Sequence, residues 1–193
     1  LFIGLVANAS AASAPQGNVN GYEAGQSALN AALNRSLNQQ RGAAKNVILF
    51  VGDGMSIATV TAARIYEGQS MGLSGEEHNL AFDEFPFAGL SRTYNTDAQT
   101  PDSAGTMTAM VTGVKTRMGV LGVGPEVARD DCAGQAANEL MSIATMAELA
   151  GKRTGIISTA RITHATPAAL YAHSVNRDWE SDVDLSPEAV AEG

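Results

Sequence analysis

Several side chains in this sequence have the type and setting to act on a charged substrate. Asp53 lies between Gly52 and Gly54, directly after the apolar run at 47–51. Glycines let the chain turn sharply and let a ligand approach the backbone. A carboxylate there can hold a hard or borderline cation; it can equally cap a helix starting near Met55. Asp102-Ser103-Ala104-Gly105 stands where a helical stretch begins. Asp or Ser at that place satisfies free N–H groups. A hydroxyl there also sits in a field that stabilises an alkoxide and binds anions. Serine is a poor nucleophile until a base, a metal or a lowered pKa activates it. Asp102 can cap the helix or orient an arginine. His164 and Thr166 are two residues apart and face the same way if the chain is extended. A threonine hydroxyl beside a carboxylate suits Mg²⁺; an imidazole prefers zinc or reaches Mg²⁺ through water. As an alternative, His164 is an ordinary loop histidine. Arg177, in SVNRDW, offers a planar fork that grips phosphate oxygens in pairs, or simply a surface ion pair.

These residues need elements to bring them together. Residues 47–51 are apolar at every position and read as a strand buried on both faces, of the kind found in parallel sheets. Residues 55–68 read as a helix ending at Gly68, and 69–80 as a loop. Residues 87–96 read as a second strand, 103–113 as a helix opening at the serine, and 114–135 as irregular chain. Residues 136–152 read as a third helix with Leu140, Ile143, Ala147 and Ala150 near one face. Residues 153–160 read as a third strand, followed by a loop and a short helix started by Pro167. The alternation predicts an α/β fold, a mostly parallel central sheet with helices on both faces. Chemistry in such folds gathers at the carboxyl ends of strands. Asp53, Asp102-Ser103 and His164-Ala165-Thr166 follow the three predicted strands in turn.

The chain has 193 residues, 45% of them apolar, and a net charge of −8. That leaves no excess of Lys and Arg for nucleic-acid phosphates. It leaves an anionic small substrate open, since a metal or one arginine reverses the local sign. Residues 1–14 are apolar, then small, and resemble the end of a secretory signal peptide with its A-x-A region. With no starting Met and no basic segment, the chain reads as clipped at its front; no segment is long and apolar enough to span a bilayer. Export to the periplasm or the exterior is the expectation. Residues 15–45 read as a linker and an arm helix, with Leu29, Leu33 and Leu37 in one stripe that packs on its own core or on another subunit. Residues 46–193 read as the N-terminal part of an α/β domain, broken off in SPEAVAEG. The single cysteine, Cys132, is then either an inert buried thiol or paired beyond this chain.

Three stretches, NVILFVGDGMSIATVTAARI, TYNTDAQTPDSAGTMTAMVTGVKT and THATPAALYAHSVNRDW, resemble in order and spacing the motifs of alkaline phosphatases. The resemblance covers residues 46–179. It implies a fold of that type and hydrolysis of phosphate monoesters at alkaline pH, by a homodimer with two Zn²⁺ and one Mg²⁺ per complete subunit. It makes Ser103 the nucleophile that becomes phosphorylated and touches one zinc, and Asp53 the carboxylate that bridges that zinc and the magnesium. Thr166 becomes a magnesium ligand and His164 a residue that reaches the magnesium through water. Arg177 clamps the phosphate and Asp102 holds that arginine. Ser56 departs from the usual glycine.

The family draws its remaining zinc ligands, and the partner of Cys132's counterpart, from a later half absent here. The resemblance therefore implies an N-terminal piece with an open sheet and little activity alone. Two other readings stand beside it. One is a related metal-dependent phosphodiesterase, phosphonate hydrolase or sulfatase, of which the D-S-A motif disfavours the sulfatase. The other is a secreted binding protein that keeps the fold and lacks the catalysis. The sequence leaves any membrane anchor open.

Overall fold

A computed structural model describes residues 45–85 and 87–192, with positions 27, 29–31, 33 and 34. They divide into two compact units: residues up to 50 with 56–90, and residues 51–55 with 91 onward. The predicted leader and most of the predicted linker lie outside the described residues.

The first unit is built on helix α1, Ile57–Ser70. The Ser56 hydroxyl caps it by accepting the Thr59 N–H. The helix packs on the loop that follows it. A Cβ on Gly68 would stand 2.7 Å from the Gly75 Cα, so only glycine allows that approach. Arg64 reaches across to the carbonyls of Gly75 and Glu76, and the His78 Nε2 pairs with Glu67 at 2.8 Å. The described part of the predicted arm is helical, with Leu29 and Leu33 half exposed.

The second unit carries the core. Helix α2, Ser103–Thr112, begins at the cap Asp102 and ends at Gly113 in the left-handed region. Ala104, Met107, Thr108 and Val111 are buried along it, the i, i+3, i+4, i+7 stripe of a helix with one inward face. Helix α3 is Ile143–Leu149, the single turn α4 is Ala165–Ala168, and α5 is Pro187–Glu192. α2 packs on α4 and α3. Leu121, Ala165, Ala168 and Ala169 complete the apolar cluster around it. A second cluster joins Val120, Val123, Val127 and Val175, with Cys132 and Trp179 packed against it. Cys132 makes no disulfide among the described residues.

The predicted parallel sheet is not formed among the described residues, where strand pairing is confined to isolated bridges. Residues 46–50 and 153–157 are extended but unpaired; Val47 is 84% exposed and Ile157 fully so. The physical reason is that a strand apolar on both faces owes its structure to neighbours on both edges and layers on both sides. Propensity alone makes an extended chain, not a ladder. In 87–96 only Asn95 pairs, with Ala98.

The third predicted helix also differs. It is a 3₁₀ turn at Ala136–Asn138 and the shorter α3. The Leu140 N–H is drawn away to the Gly122 carbonyl at 2.8 Å. Ser142 then starts a new helix, its hydroxyl accepting from the Thr145 N–H while donating to the Leu170 carbonyl. The short helix opens two residues before Pro167 rather than at it, which leaves the proline in the first turn, where its missing N–H costs nothing.

Candidate active site

Asp102 is the hub, and the reading of Ser103 as a cap needs correcting. The carboxylate of Asp102 caps α2, and Ser103 is the first helical residue. Asp102 Oδ1 accepts the Gly105 N–H at 3.1 Å and the Asn95 Nδ2 at 2.8 Å. Oδ2 accepts the Gly119 N–H and Arg177 Nη1, each at 3.0 Å. The two roles open to Asp102, cap and arginine holder, are thus divided between its two oxygens. Gly105 is fixed by the same packing, since a Cβ there would lie 2.8 Å from Asn95 Oδ1.

Burial works against the charge on Asp102. The Gly105 N–H, the Arg177 guanidinium, the Asn95 amide and the Gly119 N–H outweigh it and hold the carboxyl below the usual aspartate range.

Arg177 is brought to this place by the chain that leads to it. Leu121 and Ser174 exchange backbone hydrogen bonds, and the Arg177 N–H donates to the Gly119 carbonyl at 2.8 Å. Gly122 makes the crossing possible. It has φ +60°, and a Cβ on it would stand 2.5 Å from the Ala172 carbonyl. Arg177 Nη1 also donates to the Ser103 hydroxyl at 3.1 Å, and Nη2 meets His164 Nε2 at 3.5 Å. A guanidinium can only donate, so in that contact Nε2 is on the accepting side. The His164 Nδ1 is buried with no partner among the described residues.

Thr166, in α4, donates its hydroxyl to Asp53 Oδ2 at 2.7 Å across 113 residues of sequence. The capping role that was open to Asp53 falls to Ser56. The structure therefore joins the predicted residues in two sets, Asp102–Ser103–Arg177–His164 and Asp53–Thr166. The segment 164–166 contributes to both.

Asn95, Gly119 and Glu180 also belong to the site, and sequence reasoning passed over them. Glu180 takes both arms of Arg161 at 2.8 and 2.6 Å and the Thr163 hydroxyl at 2.7 Å, which braces the loop leading to His164. Arg161 first, then Thr163, draws its carboxyl down to about 2, against a smaller opposing effect of burial. The run of Thr and Arg before His164 was the available signal. Gly119 acts through its backbone, which no sequence pattern marks.

The donor sets sort the metals. A carboxylate and a hydroxyl in contact at Asp53–Thr166 are hard oxygen donors, as Mg²⁺ requires. Zinc takes His, Cys and carboxylates in sets of three or four. No group of three or more His, Cys, Asp and Glu lies together among the described residues, so they do not form a zinc shell. No described helix is long and apolar enough to cross a membrane.

The family model for alkaline phosphatase matches residues 44–193. The chain is 54% identical over 150 residues to the tissue-nonspecific isozyme of alkaline phosphatase from Mus musculus, covering 78% of this chain and 29% of that protein. It is 50% identical over 169 residues to an alkaline phosphatase from Gadus morhua, covering 87% and 35%. Among solved structures, a cold-active alkaline phosphatase from the psychrophile Shewanella sp. superimposes with a TM-score of 0.55 at 32% identity, over 67% of this chain and 30% of that one. The chain thus spans about a third of the length of these relatives. With residues 44–193 matched by the family model and 78% of its length at 54% identity to such a phosphatase, the chain belongs to the alkaline phosphatase family.

Proposed function

We propose that the protein hydrolyses phosphate monoesters through a phosphoserine on Ser103, as part of a longer polypeptide. The observation that carries this reading is one guanidinium nitrogen serving two residues. Arg177 Nη1 lies 3.0 Å from Asp102 Oδ2 and 3.1 Å from Ser103 Oγ. A cation beside the hydroxyl favours its ionised form. The N-terminus of α2, with Ser103 as its first residue, favours negative charge at the same place. Asp102 keeps the guanidinium aimed, and its planar fork can take two phosphate oxygens at once.

The chemistry then follows. The Ser103 hydroxyl gives up its proton to solvent, its oxygen attacks phosphorus, and the bond to the departing alkoxide breaks with its electron pair. The alkoxide takes a proton from solvent and leaves as the alcohol. A second water hydrolyses the phosphoserine, which restores Ser103 and releases inorganic phosphate. Arg177 holds the phosphoryl oxygens in both steps, so positioning and charge neutralisation supply most of the acceleration. Asp53 and Thr166 would hold a magnesium ion, with His164 as an outer partner, and the ion would supply further positive charge at the phosphoryl group. Zinc belongs to the proposal only as a cofactor of the longer protein, and no step is assigned to it. Export and assembly as a homodimer complete the reading, supported by the leader-like residues 1–14 and the leucine stripe of the arm.

The test is Ser103→Ala in the full-length protein, assayed with 4-nitrophenyl phosphate and bis(4-nitrophenyl) phosphate. The expected result is a monoesterase whose activity falls by a factor of at least about 10³ in the variant. The wild type should also retain acid-stable phosphate on Ser103 after quenching. Unchanged monoester turnover in Ser103→Ala overturns the reading; preferential turnover of the diester replaces it with a phosphodiesterase.

A further inference from the structure

We propose that Asn95 is a positioning residue for phosphate binding, acting through Asp102 to fix the aim of Arg177. The inference rests on the reading of Ser103 and Arg177 given above.

An ionised carboxylate has about four acceptor positions. In Asp102 all four are taken, two on each oxygen. Two of the donors, Gly105 and Gly119, are backbone. The third, Arg177, is the group being aimed. Asn95 is the one neutral side chain in the set, and its 2.8 Å contact is the shortest. It opposes Arg177 across the carboxylate, so the plane of the carboxylate is fixed from both sides.

Asn95 is itself held hard. It is 3% exposed, and its backbone pairs with Ala98 at 3.0 and 3.3 Å. The turn around it is tied to 115–118 at several points. Lys115 Nζ donates to the carbonyls of Arg92 and Tyr94 and lies 4.1 Å above the Tyr94 ring. The Thr96 N–H donates to the Thr116 carbonyl, and Asp97 accepts the Met118 N–H at 2.8 Å. A turn this heavily pinned, carrying an amide donor onto a carboxylate, is built to place that donor.

The assignment of the amide follows from chemistry. Asp102 can only accept, so Nδ2 faces it, and Asn95 Oδ1 is left buried without a partner. A side chain retained for packing alone has no reason to bury an unpaired carbonyl. The donor role gives that reason.

The experiment uses the full-length protein with inorganic phosphate as probe, measured by calorimetry and as a competitive inhibitor. Variants are Asn95→Ala, Asn95→Asp and, as reference, Arg177→Ala. Asn95→Asp keeps the shape and replaces the donor by a second carboxylate. A packing role predicts that Asn95→Asp is milder than Asn95→Ala. The positioning role predicts the reverse order. Asn95→Ala should weaken phosphate binding and raise KM about tenfold, the value of a hydrogen bond to an ionised group, while kcat changes less than about threefold. Asn95→Asp should weaken binding further. Phosphate affinity within twofold of wild type in Asn95→Ala, or Asn95→Asp binding as well as Asn95→Ala, overturns the inference. If Asn95→Asp does not fold, Asn95→Ala decides alone, measured well below its melting temperature, by an affinity loss and a raised KM with kcat held within about threefold. If Arg177→Ala also binds phosphate normally, the reading of the site fails and the inference falls with it; normal binding in Asn95→Ala beside weakened binding in Arg177→Ala overturns the inference alone.

Discussion

Replacing Asp102 by alanine removes one acceptor from four donors, and the structure sets the size of the loss. The helix cap is worth about 1 kcal/mol. Stranding a guanidinium costs about 3–5 kcal/mol when the pair is fully buried. The Asp102 and Arg177 side chains retain 14% and 23% exposure, so water reaches the stranded charge and about 2 kcal/mol is the fitting figure. Asn95 and Gly119, themselves neutral, each lose an ionised acceptor, at about 1.5 kcal/mol. The contacts share a single carboxylate and are not additive, which places the whole at about 3–4 kcal/mol. Asp102→Asn is milder. Its amide nitrogen can face the Asn95 side, where Asn95 turns over and offers its own oxygen, so that only the Gly105 N–H is stranded. That variant should lose about 1–2 kcal/mol. Urea denaturation of the full-length protein with a common slope separates the two values. The pH dependence has a definite sign. The Asp102 carboxyl lies below its usual range in the folded protein, so its contribution is fully present above the ordinary carboxylate pKa. It is lost as pH falls through the lowered one. Equal losses for Ala and Asn, or a loss under about 1 kcal/mol for Ala, would show that the four contacts do not act as one anchor.

Glu180→Gln should remove a component of acid sensitivity. The Glu180 carboxyl titrates at about 2 in the folded protein, so its stabilising effect holds above the usual glutamate value and disappears between that value and about 2. Melting temperature against pH should flatten over this interval in the variant and remain parallel to wild type near neutrality; identical profiles throughout refute the brace. Gly122→Ala should destabilise by about 2–3 kcal/mol, because φ +60° and a Cβ 2.5 Å from the Ala172 carbonyl both oppose it. Gly151→Ala, also at positive φ but with nothing within 4 Å, should cost only the backbone strain of about 1 kcal/mol, and equal losses in a denaturant titration count against the steric part.

How much of the fold was legible depends on how local its causes are. The start of α2 could be read because Asp102, the small residues after it and the apolar stripe at Ala104, Met107, Thr108 and Val111 all act within a few residues. The sequence reads α1 as 55–68, but it runs Ile57–Ser70 with Ser56 as its cap, a local signal that this reading passes over. The break within 136–152 could not be read, because it comes from the Gly122 carbonyl taking the Leu140 N–H and from the Leu170 carbonyl taking the Ser142 hydroxyl. Both are contacts with distant chain. The strands fail for the same reason at larger scale. Residues 47–51 announce burial on two faces, and the described residues supply neither the paired edges nor the covering layers.

At the site, the alternatives left open by residue type were not exclusive. Asp102 has two oxygens, so capping the helix with one leaves the other to hold an arginine. Arg177 has several donors, so an ion pair to Asp102 does not spend the fork that can grip phosphate. Residue type limits what a side chain can offer; only geometry divides the offer among partners. That is why residue type could mark Ser103, Asp102, Arg177, Asp53 and Thr166 as candidates with alternatives left open, whereas it did not mark Asn95 and Gly119. An asparagine in a turn and a glycine at φ +81° have ordinary local explanations. They become part of the proposed phosphate-binding arrangement only because residues 95, 102, 119 and 177 meet at one carboxylate. A carboxylate with every acceptor position filled cannot turn, and an arginine held by it must present the rest of its fork in one direction. The rigidity of the site therefore resides in the neutral partners of Asp102 as much as in the charged residue they surround.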